Sequence, residues 1–389
     1  MTRSTMVAIF LATAIGCFGP AAAWAQDDGH DYAGYARVAW SADGTVTRTA
    51  TGEAEPGRAF AADAPVRIAS ISKLVATIGL LKLVDAGQID WDADVADLLG
   101  WPLRNPAAPD ISIRLSDILS HRAGLTDAGG YVVPLGTRLE DFIGPDHWRG
   151  TAPGAAFEYA NLGSAIIASV MERSTGERFD RLMQRLVFAP LAIDACYNWS
   201  TCSTAARERG TPLPSPTGEI LRDDRSARLD DCQVARASSA SPCPIESYSP
   251  GTNGSLFSPQ GGLRISVADL ATLGRALATR DSRLLSADSY ALLFGSPARF
   301  GMASTEDPVF CRYGFTIQAL AAAGCPAADA VPARLGHSGE AYHLRSGLWF
   351  DPDSGAGVAF AITGVTNPGT ADAGGLSPIE RAALLGTLK

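Results

Sequence analysis

Two pairs of strand-like segments lie near the two ends of the chain. Residues 35–41 and 45–51 favour extended structure and flank Asp43-Gly44, a residue pair typical of a tight hairpin turn. Residues 344–350 and 358–363 are apolar and strand-like, and a polar stretch with two glycines separates them. The pattern therefore predicts one β-hairpin at each end of the chain.

Helical patterns occupy much of the sequence between these hairpins. Residues 71–84 are apolar nearly all round, which predicts a buried helix. Residues 162–173 and 267–278 have the apolar spacing of two further helices. Near the C-terminus, Ser377 can cap a last helix and Pro378 suits its first position.

Strands at both ends with helices between them predict the fold class. We expect an α/β (α+β) protein in which a mixed, mainly antiparallel sheet is built from both termini and carries packed helices. An inserted helical lobe would complete it. The sheet lobe would comprise about 26–90 and 295–389, and the helical lobe about 91–294. A cleft between two lobes is a usual place for a functional site.

A disulfide-rich insertion is expected within the helical lobe, over about 195–258. It is rich in Ser, Pro, Asp and Arg, and it is too long for a plain loop in a compact domain. We expect it to lie on the surface. Residues 1–25 have the features of a secretory signal peptide: Arg3, a short apolar stretch, and an A-x-A cleavage site between Ala25 and Gln26. The mature chain would then be secreted or periplasmic. The alternative is a lipoprotein anchored through Cys17.

Six cysteines follow the predicted cleavage site, and an even number in an exported chain indicates disulfide bonds. Six cysteines allow 15 pairings. Proximity along the chain favours Cys196–Cys202, Cys232–Cys243 and Cys311–Cys325. No C-x-x-C motif occurs and no histidines cluster at ligand spacing, so no metal ion is expected.

Composition excludes several classes of protein. Hydrophobic residues make up 46% of the 389-residue chain, which excludes a disordered protein. The net charge of −9 and the lack of a basic block argue against nucleic acid as a partner. Beyond the N-terminus no apolar run is long enough for a stable membrane span. Only three of the 32 basic residues are lysines: Lys73, Lys82 and Lys389. Because the chain uses arginine for most of its positive charges, a lysine can mark a position where arginine would not serve.

The first candidate motif is Ser70-x-x-Lys73, at the start of the predicted buried helix. Residues three apart share a helix face, so the two side chains can touch. A serine hydroxyl is a weak nucleophile until a base takes its proton, and a desolvated lysine can act as that base whereas arginine cannot. The position at a helix N-terminus also favours developing negative charge.

Tyr159-Ala160-Asn161 is the second candidate motif, just before the helix predicted over 162–173. A tyrosine near positive groups can have its pKa lowered enough to shuttle a proton. Asn161 offers a donor and an acceptor to an amide-like substrate. The alternative is a core tyrosine followed by a helix-capping asparagine.

The third motif, Gly336-His337-Ser338-Gly339, precedes the C-terminal hairpin. It nearly forms the G-x-S-x-G nucleophile elbow, but Glu340 stands where the second glycine is needed, so an α/β-hydrolase is excluded. A strand beside a cleft could instead present His337, Ser338 and a backbone amide to a substrate. A glycine-rich turn with a solvated histidine is the alternative.

Taken in order, S-x-x-K, Y-x-N and H-S-G resemble the penicillin-recognising serine hydrolases, which include class C β-lactamases, D-alanyl-D-alanine carboxypeptidases and esterases of the same fold. Residues 113–125, and 261–263 with 266–270, are similar to two further segments of that family. The resemblance covers most of the mature chain. It implies the β-lactamase/transpeptidase-like architecture and acyl transfer without a cofactor or metal.

The resemblance also implies a role for each residue. Ser70 would form an acyl-enzyme, while Lys73 and Tyr159 would share the work of general base and general acid. Asn161 would hold the substrate amide, and the backbone amides of Ser70 and Glu340 would form the oxyanion hole. Which of Lys73 and Tyr159 takes the first proton is left open.

The third motif departs from the β-lactamase pattern, which has lysine at the position of His337 and threonine at that of Ser338. A histidine with an ordinary pKa of ~6.5 is mostly uncharged at neutral pH. A fixed charge for a substrate carboxylate is then weakened, unless Arg334 or Arg345 supplies it. Gly339 keeps its place in the motif. The expected function is hydrolysis of a peptide or β-lactam amide bond, as by a β-lactamase or D-alanyl-D-alanine carboxypeptidase, on a small molecule or a peptidoglycan peptide. Small-ester hydrolysis is the alternative, and a non-catalytic penicillin-binding protein comes third.

Overall fold

The computed structural model of the chain describes residues 31–223, 245–300, 311–325, 331–371 and 375–389. The predicted signal peptide, Cys17, and the predicted Cys232–Cys243 pair lie outside the described residues. The strands are β1 Gly34–Trp40, β2 Val46–Glu55, β3 Arg58–Ala59, β4 Val66–Arg67, β5 Cys196–Tyr197, β6 Leu213–Pro214, β7 Ile220–Arg222, β8 Leu263–Ile265, β9 Gln318–Leu320, β10 Arg334–Ala341, β11 Leu344–Phe350 and β12 Gly357–Thr363.

The α-helices were anticipated most closely where their apolar pattern is long. They are α1 Ile71–Asp85, α2 Val95–Leu99, α3 Leu115–Leu119, α4 Leu139–Phe142, α5 Leu162–Thr175, α6 Phe179–Met183, α7 Thr204–Arg209, α8 Val267–Ala278, α9 Ala287–Arg299 and α10 Pro378–Leu385. Short 3₁₀ turns cover Pro145–His147, Ala189–Leu191, Ile245–Ser247 and Gly254–Phe257, and a π turn covers Gln184–Phe188.

The central sheet has seven strands in the order β3-β2-β1-β12-β11-β10-β9, and every neighbouring pair is antiparallel. Strand β1 pairs with β12 along its whole length, from Gly34 opposite Thr363 to Trp40 opposite Gly357. The two termini therefore meet in one sheet, and the predicted fold class and both hairpins are confirmed.

Helices cover both faces of this sheet. Helix α8 packs on β1, β11 and β12, and α1 packs on β10 and β11. Helix α10 packs on β11 and β12, against a second apolar cluster that includes Trp349 and Phe360. A capping box between Ser377 and Glu380, with Pro378 at the first position, starts α10 as predicted. The predicted lobe boundaries stay a prediction, although α8, placed in the helical lobe, packs on the sheet.

Helix α1 occupies the middle of the molecule. Twelve of its 15 residues are buried, because it lies between the sheet and α5. Apolar residues on all sides of a helix suit burial on all sides. This helix carries Ser70 and Lys73 from its N-terminal end into the interior.

Part of the segment 195–258, which we expected to lie on the surface, is buried, and the insertion itself stays a prediction. Strand β5 pairs with β8, and Tyr197 and Leu213 are fully buried. The segment is polar overall, but it contains a few apolar side chains, and these pack in the interior. Two of the three predicted disulfides, Cys196–Cys202 and Cys311–Cys325, are present. Across the described ranges, no helix has the length and apolar character needed to cross a membrane.

Candidate active site

Ser70 stands at a sharp turn that leads into α1. Ala69 adopts a left-handed φ of 47°, a conformation that is costly for a non-glycine residue and is common at functional sites. The hydroxyl of Ser72 holds the turn, since it donates to the carbonyl of Ala69 (2.6 Å) and accepts from the amide of Leu263 (3.1 Å). Ser70 occupies the N-cap position without a capping bond from its side chain, so its hydroxyl is available to other groups.

Lys73 lies one helical turn below Ser70 and is only 1% exposed. Its Nζ is 3.1 Å from Oγ of Ser70, 2.8 Å from Oδ1 of Asn161 and 3.0 Å from the carbonyl oxygen of Gln260. Burial lowers the pKa of Lys73 to about 7, although the charge of Asp127 acts in the opposite direction.

These contacts suit a neutral amine. A neutral lysine has two N–H bonds and one lone pair. The oxygens of Asn161 and Gln260 can only accept hydrogen bonds, so they take both N–H bonds. The lone pair then faces the hydroxyl of Ser70, and this arrangement can remove the serine proton.

We expect the reactivity of Ser70 to rise with pH around neutrality. Lys73 acts as a base only without its proton, and its pKa of about 7 places that loss between roughly pH 6 and 8. The rate at which a fluorophosphonate labels Ser70, measured from pH 5 to 10, should increase with a midpoint near pH 7. Glu172 also has a pKa raised to about 7 by burial, but it bonds the segment around Gly251 and lies outside the cleft. A Glu172→Gln variant should keep the midpoint, and a midpoint above pH 9 would contradict the assignment to Lys73.

Tyr159 closes the site over Lys73. The lysine Nζ lies 4.7 Å from the centroid of the tyrosine ring, and the phenol is hydrogen-bonded to Ser70. The sequence suggested that positive groups would lower the pKa of Tyr159, and this expectation is wrong. Burial raises the pKa of Tyr159, because the phenolate would be formed in a desolvated place. Tyr159 therefore keeps its proton at neutral pH and can donate it.

A buried hydrogen-bonded chain of His121, Tyr313 and His337 packs against the ring of Tyr159. The ring of His121 lies 4.3 Å from that of Tyr159, centroid to centroid. The Tyr313 hydroxyl lies 3.1 Å from Nε2 of His121 and 3.1 Å from Nε2 of His337. No sequence pattern indicated Tyr313, because its contacts join segments far apart along the chain.

The backbone partners of His121 and His337 indicate which ring nitrogen of each histidine carries a proton. The amide of Ala160 donates to Nδ1 of His121 (3.2 Å), so Nε2 of His121 carries the proton and donates to Tyr313. Nδ1 of His337 contacts the carbonyl of Ser338 (2.5 Å) and must be its donor, so Nε2 of His337 accepts from Tyr313. Both histidines are thus neutral, and burial lowers the pKa of each, that of His337 to about 3.

The expectation that His337 faces a substrate needs correction, whereas a substrate contact of Ser338 stays a prediction. His337 is 1% exposed and points at Tyr313, and Ser338 Oγ contacts Gln318 (3.2 Å). Arg334 and Arg345, considered as replacement charges, are paired with Asp351 (3.7 Å) and Glu340 (2.7 Å) and do not line the described cleft. The strand packs its histidine inward because Tyr313 offers a polar partner there.

Among the described residues, no strand pairs with the outer edge of β10 at its end beside α1. Strand β9 pairs with only the first three residues of β10. Beyond them, the amide of Ser338 donates to Oε1 of Gln318 (2.7 Å). The amide of Glu340 points to the same edge, since backbone groups two residues apart on a strand share an edge. Gly339 lets the strand approach α1, because a Cβ there would lie 2.3 Å from the carbonyl oxygen of Ile68.

Asn161 links the site to a residue that the sequence did not single out. Oδ1 of Asn161 accepts from Lys73, and Nδ2 donates to Asp127 (2.8 Å). The same carboxylate accepts from the amides of Asn161 (2.9 Å) and Leu162 (3.1 Å) and thereby caps α5. Asp127 therefore fixes the amide that contacts Lys73.

A cleft of about 530 Å³ opens beside these groups. Four predicted residues line it: Ser70, Tyr159, Asn161 and Glu340. Lys73 lies beneath Ser70, whereas His337, Ser338 and Gly339 do not line the cleft. The cleft is also lined by Arg67, Arg222 and Tyr342, for which the sequence analysis predicted no role. Across the described ranges, no group of three or more His, Cys, Asp or Glu side chains could hold a metal ion.

The sequence is similar to several characterised proteins. A family model described as beta-lactamase matches residues 21–377. Penicillin-binding protein 4 of Amycolatopsis lactamdurans is 26% identical over 48% of this chain and 52% of its own length. Esterase EstB of Burkholderia gladioli is 29% identical over 36% of this chain and 40% of its own length. The D-alanyl-D-alanine-carboxypeptidase/endopeptidase AmpH of Escherichia coli is 25% identical over 45% of this chain and 45% of its own length. These matches span about half the length of the relatives.

Solved structures share the fold. The octameric penicillin-binding protein homologue from Pyrococcus abyssi aligns with a TM-score of 0.66 at 18% identity, covering 92% of this chain and 74% of its own. A D-stereospecific amidohydrolase from Streptomyces aligns with a TM-score of 0.60 at 19% identity, and the alignment covers 86% of this chain and 90% of the amidohydrolase. At these identities the similarity concerns the architecture.

Proposed function

Because the chain belongs to the beta-lactamase family of serine hydrolases, we propose that it is an exported enzyme that cleaves a peptide-type amide bond through an acyl-enzyme on Ser70. The two disulfides and the sequence of residues 1–25 support export to the periplasm or beyond. The observation that carries the proposal is the pair of oppositely shifted groups at Ser70: Lys73, whose pKa is lowered, and Tyr159, whose pKa is raised. Such a pair supplies a base and an acid at one pH.

In the first step, neutral Lys73 takes the proton of Ser70 as Oγ attacks the substrate carbonyl carbon. The resulting oxyanion is held by the backbone amides of Ser70 and Glu340, a kind of contact typically worth about 10²–10³ in rate per donor. Tyr159 gives its proton to the leaving nitrogen as the amide bond breaks, and it regains one from Lys73. An amine needs this proton to leave, so a tyrosine that keeps its proton suits amide cleavage.

A second step returns the enzyme to its starting state. Water attacks the acyl carbon and loses a proton to the Lys73–Tyr159 pair, the bond to Ser70 Oγ breaks, and the serine regains its proton. Asn161 positions Lys73 in both steps and can hold the substrate amide. Peptides of the D-alanyl type and β-lactams are the first substrates to test, in line with the penicillin-binding and AmpH relatives.

Ester hydrolysis is the second candidate, and buried His337 favours it. Penicillins and D-alanyl peptides carry a free carboxylate, and a neutral histidine beneath Tyr313 provides no charge for it at that place. The esterase relative is consistent with this reading.

Intact-protein mass spectrometry distinguishes the candidates. We expect a covalent adduct on Ser70 after incubation with benzylpenicillin, and a persistent adduct indicates slow deacylation of the peptidase type. Rapid turnover of p-nitrophenyl acetate without any penicillin adduct would indicate the esterase. If folded protein reacts with neither compound nor with a fluorophosphonate, the proposed function is wrong and a non-catalytic role is favoured.

A further inference from the structure

One end of the cleft carries an excess of positive charge. Arg67 on β4 and Arg222 on β7 line the same cleft as Ser70, and Arg264 on β8 is fully buried beside Arg67. Within the described part of the chain, Asp223 is the carboxylate that forms ion pairs with this cluster. Arg67 and Arg264 thus share the negative charge of Asp223, while Arg222 adds a third positive charge at the cleft.

Arg264 and Trp199 both bond one oxygen of Asp223, whereas Oδ2 of Asp223 has no hydrogen-bond partner among the described residues. Nη2 of Arg264 lies 2.6 Å from Oδ1 of Asp223, and the indole of Trp199 donates to the same oxygen (3.1 Å). Nε of Arg67 is 3.8 Å from Oδ2 of Asp223, which is too long for a hydrogen bond. Arg222 forms no ion pair with a described residue.

Arg67 is therefore incompletely paired, although it is 3% exposed. Its Nη1 donates to the carbonyl of Gly261 (3.0 Å), but Nε and Nη2 have no hydrogen-bond partner within the described residues. Burial and the neighbouring charge of Arg264 lower the pKa of the Arg67 guanidinium. A buried donor without a partner is costly, and a planar anion such as a carboxylate suits a guanidinium fork.

Tyr342 shapes this end of the cleft. Its ring lies 5.5 Å from the guanidinium carbon of Arg67 and 4.7 Å from that of Arg222. It occupies the two-residue turn between β10 and β11 with a left-handed φ of 52°, which is strained for an aromatic residue. Tyr342 is 36% exposed and forms the outer wall of the cleft beside the two arginines.

The negative charge of Glu340 at the cleft is paired with the positive charge of Arg345. Glu340 is the acidic residue among those that line the described cleft, and its carboxylate is 2.7 Å from Nη2 of Arg345. Among the described residues, Arg67 and Arg222 therefore determine the charge that an incoming group meets.

The orientation of the substrate follows from the positions of His337 within β10 and of Tyr342 in the turn that follows it. Tyr159, the proposed proton donor to the leaving group, packs against Tyr313, which bonds His337 in the middle of this strand. Tyr342 lies five residues beyond His337, or roughly 16 Å along a strand. The leaving group is thus at the His337 end, and the acyl group extends toward the arginines. The Cα atoms of Arg67 and Ser70 are at most about 11 Å apart, which suits a short acyl chain.

We propose that Arg67 and Arg222 bind a carboxylate carried by the acyl group of the substrate, so that the enzyme prefers substrates derived from short dicarboxylic acids. This inference rests on the proposed acyl transfer at Ser70. It assigns the arginines to substrate selection rather than to the chemical step.

Two matched esters test this preference. The mono-p-nitrophenyl ester of glutaric acid has a free carboxylate at the end of its acyl chain, and methyl p-nitrophenyl glutarate has the same chain without the charge. Release of p-nitrophenol is measured for both, with the rate of the Ser70→Ala variant subtracted as background. We expect kcat/KM of the intact chain to be at least about 10-fold higher for the acid.

Variants of the two arginines test whether these residues cause the preference for the acid. Arg67→Gln and Arg222→Gln should each reduce the ratio of the two kcat/KM values toward one, and Arg222 is only partly buried, so its variant tests the proposal even if Arg67→Gln folds poorly. The matched control is Arg185→Gln, an exposed arginine paired with Glu177 outside the cleft, which should keep the ratio. Equal kcat/KM values for the two esters in the unmodified protein, with Ser70 still labelled by a fluorophosphonate, overturn this inference alone. Absence of both labelling and turnover overturns the proposed function and the inference with it.

Discussion

Ser70→Ala is expected to lower the hydrolysis of every amide or ester substrate by about 10⁴-fold or more, and to abolish fluorophosphonate labelling. The hydroxyl is the group on which the acyl-enzyme forms, and single losses of a nucleophile in comparable enzymes have effects of this order. Turnover of p-nitrophenyl acetate and the mass of the labelled protein measure the two effects.

The fold should tolerate this change. Ser70 makes no capping hydrogen bond, so little stability is lost with its hydroxyl. Ser174→Ala, at the far end of α5 and outside the cleft, is the matched control and should keep full activity. Full activity of a folded Ser70→Ala variant would falsify the assignment of the nucleophile.

Lys73→Arg should prevent acylation although it preserves the positive charge. Arginine does not lose its proton in proteins, so it cannot take the proton of Ser70. Its larger, planar head also does not fit the three contacts that hold Nζ between Ser70, Asn161 and Gln260. We expect a loss of at least about 10³-fold in the labelling rate, since general-base catalysis alone contributes about 10²–10⁴.

Lys82 provides the control for this substitution. It lies near the C-terminal end of the same helix and donates to the carbonyl of Arg283 (2.6 Å), away from the cleft. Lys82→Arg should label at the rate of the unmodified protein, and the thermal unfolding of both variants shows whether each is folded. Labelling of folded Lys73→Arg at a near-normal rate would mean that Lys73 is not the base.

The site residues that the sequence anticipated well are those held together by local geometry. Ser70 and Lys73 are one helical turn apart, so the motif and the helix together determine that they meet. Tyr159 and Asn161 precede a helix whose start the sequence also indicates. Their arrival at Lys73 was implied by family resemblance and is produced by packing of α5 against α1.

Other expectations failed where distant segments decide a residue's surroundings. His337 was expected at the cleft, but Tyr313 and a backbone carbonyl hold it inside the protein. The pKa of Tyr159 was expected to fall near positive groups, but desolvation by burial raises it. The polar composition around residue 200 suggested a surface segment, although its few apolar side chains are buried.

The sequence by itself determined the antiparallel sheet from both termini, the central buried helix, the serine–lysine pair and two disulfides, because periodicity, turn residues and short separations act locally. Only the tertiary structure decided which charges face the substrate. Arg67, Arg222 and Tyr342 lie up to 275 positions apart in the chain. They meet at one end of the cleft because β4, β7 and the β10–β11 turn converge there. Burial and pairing are set by such convergence, and no local pattern records them.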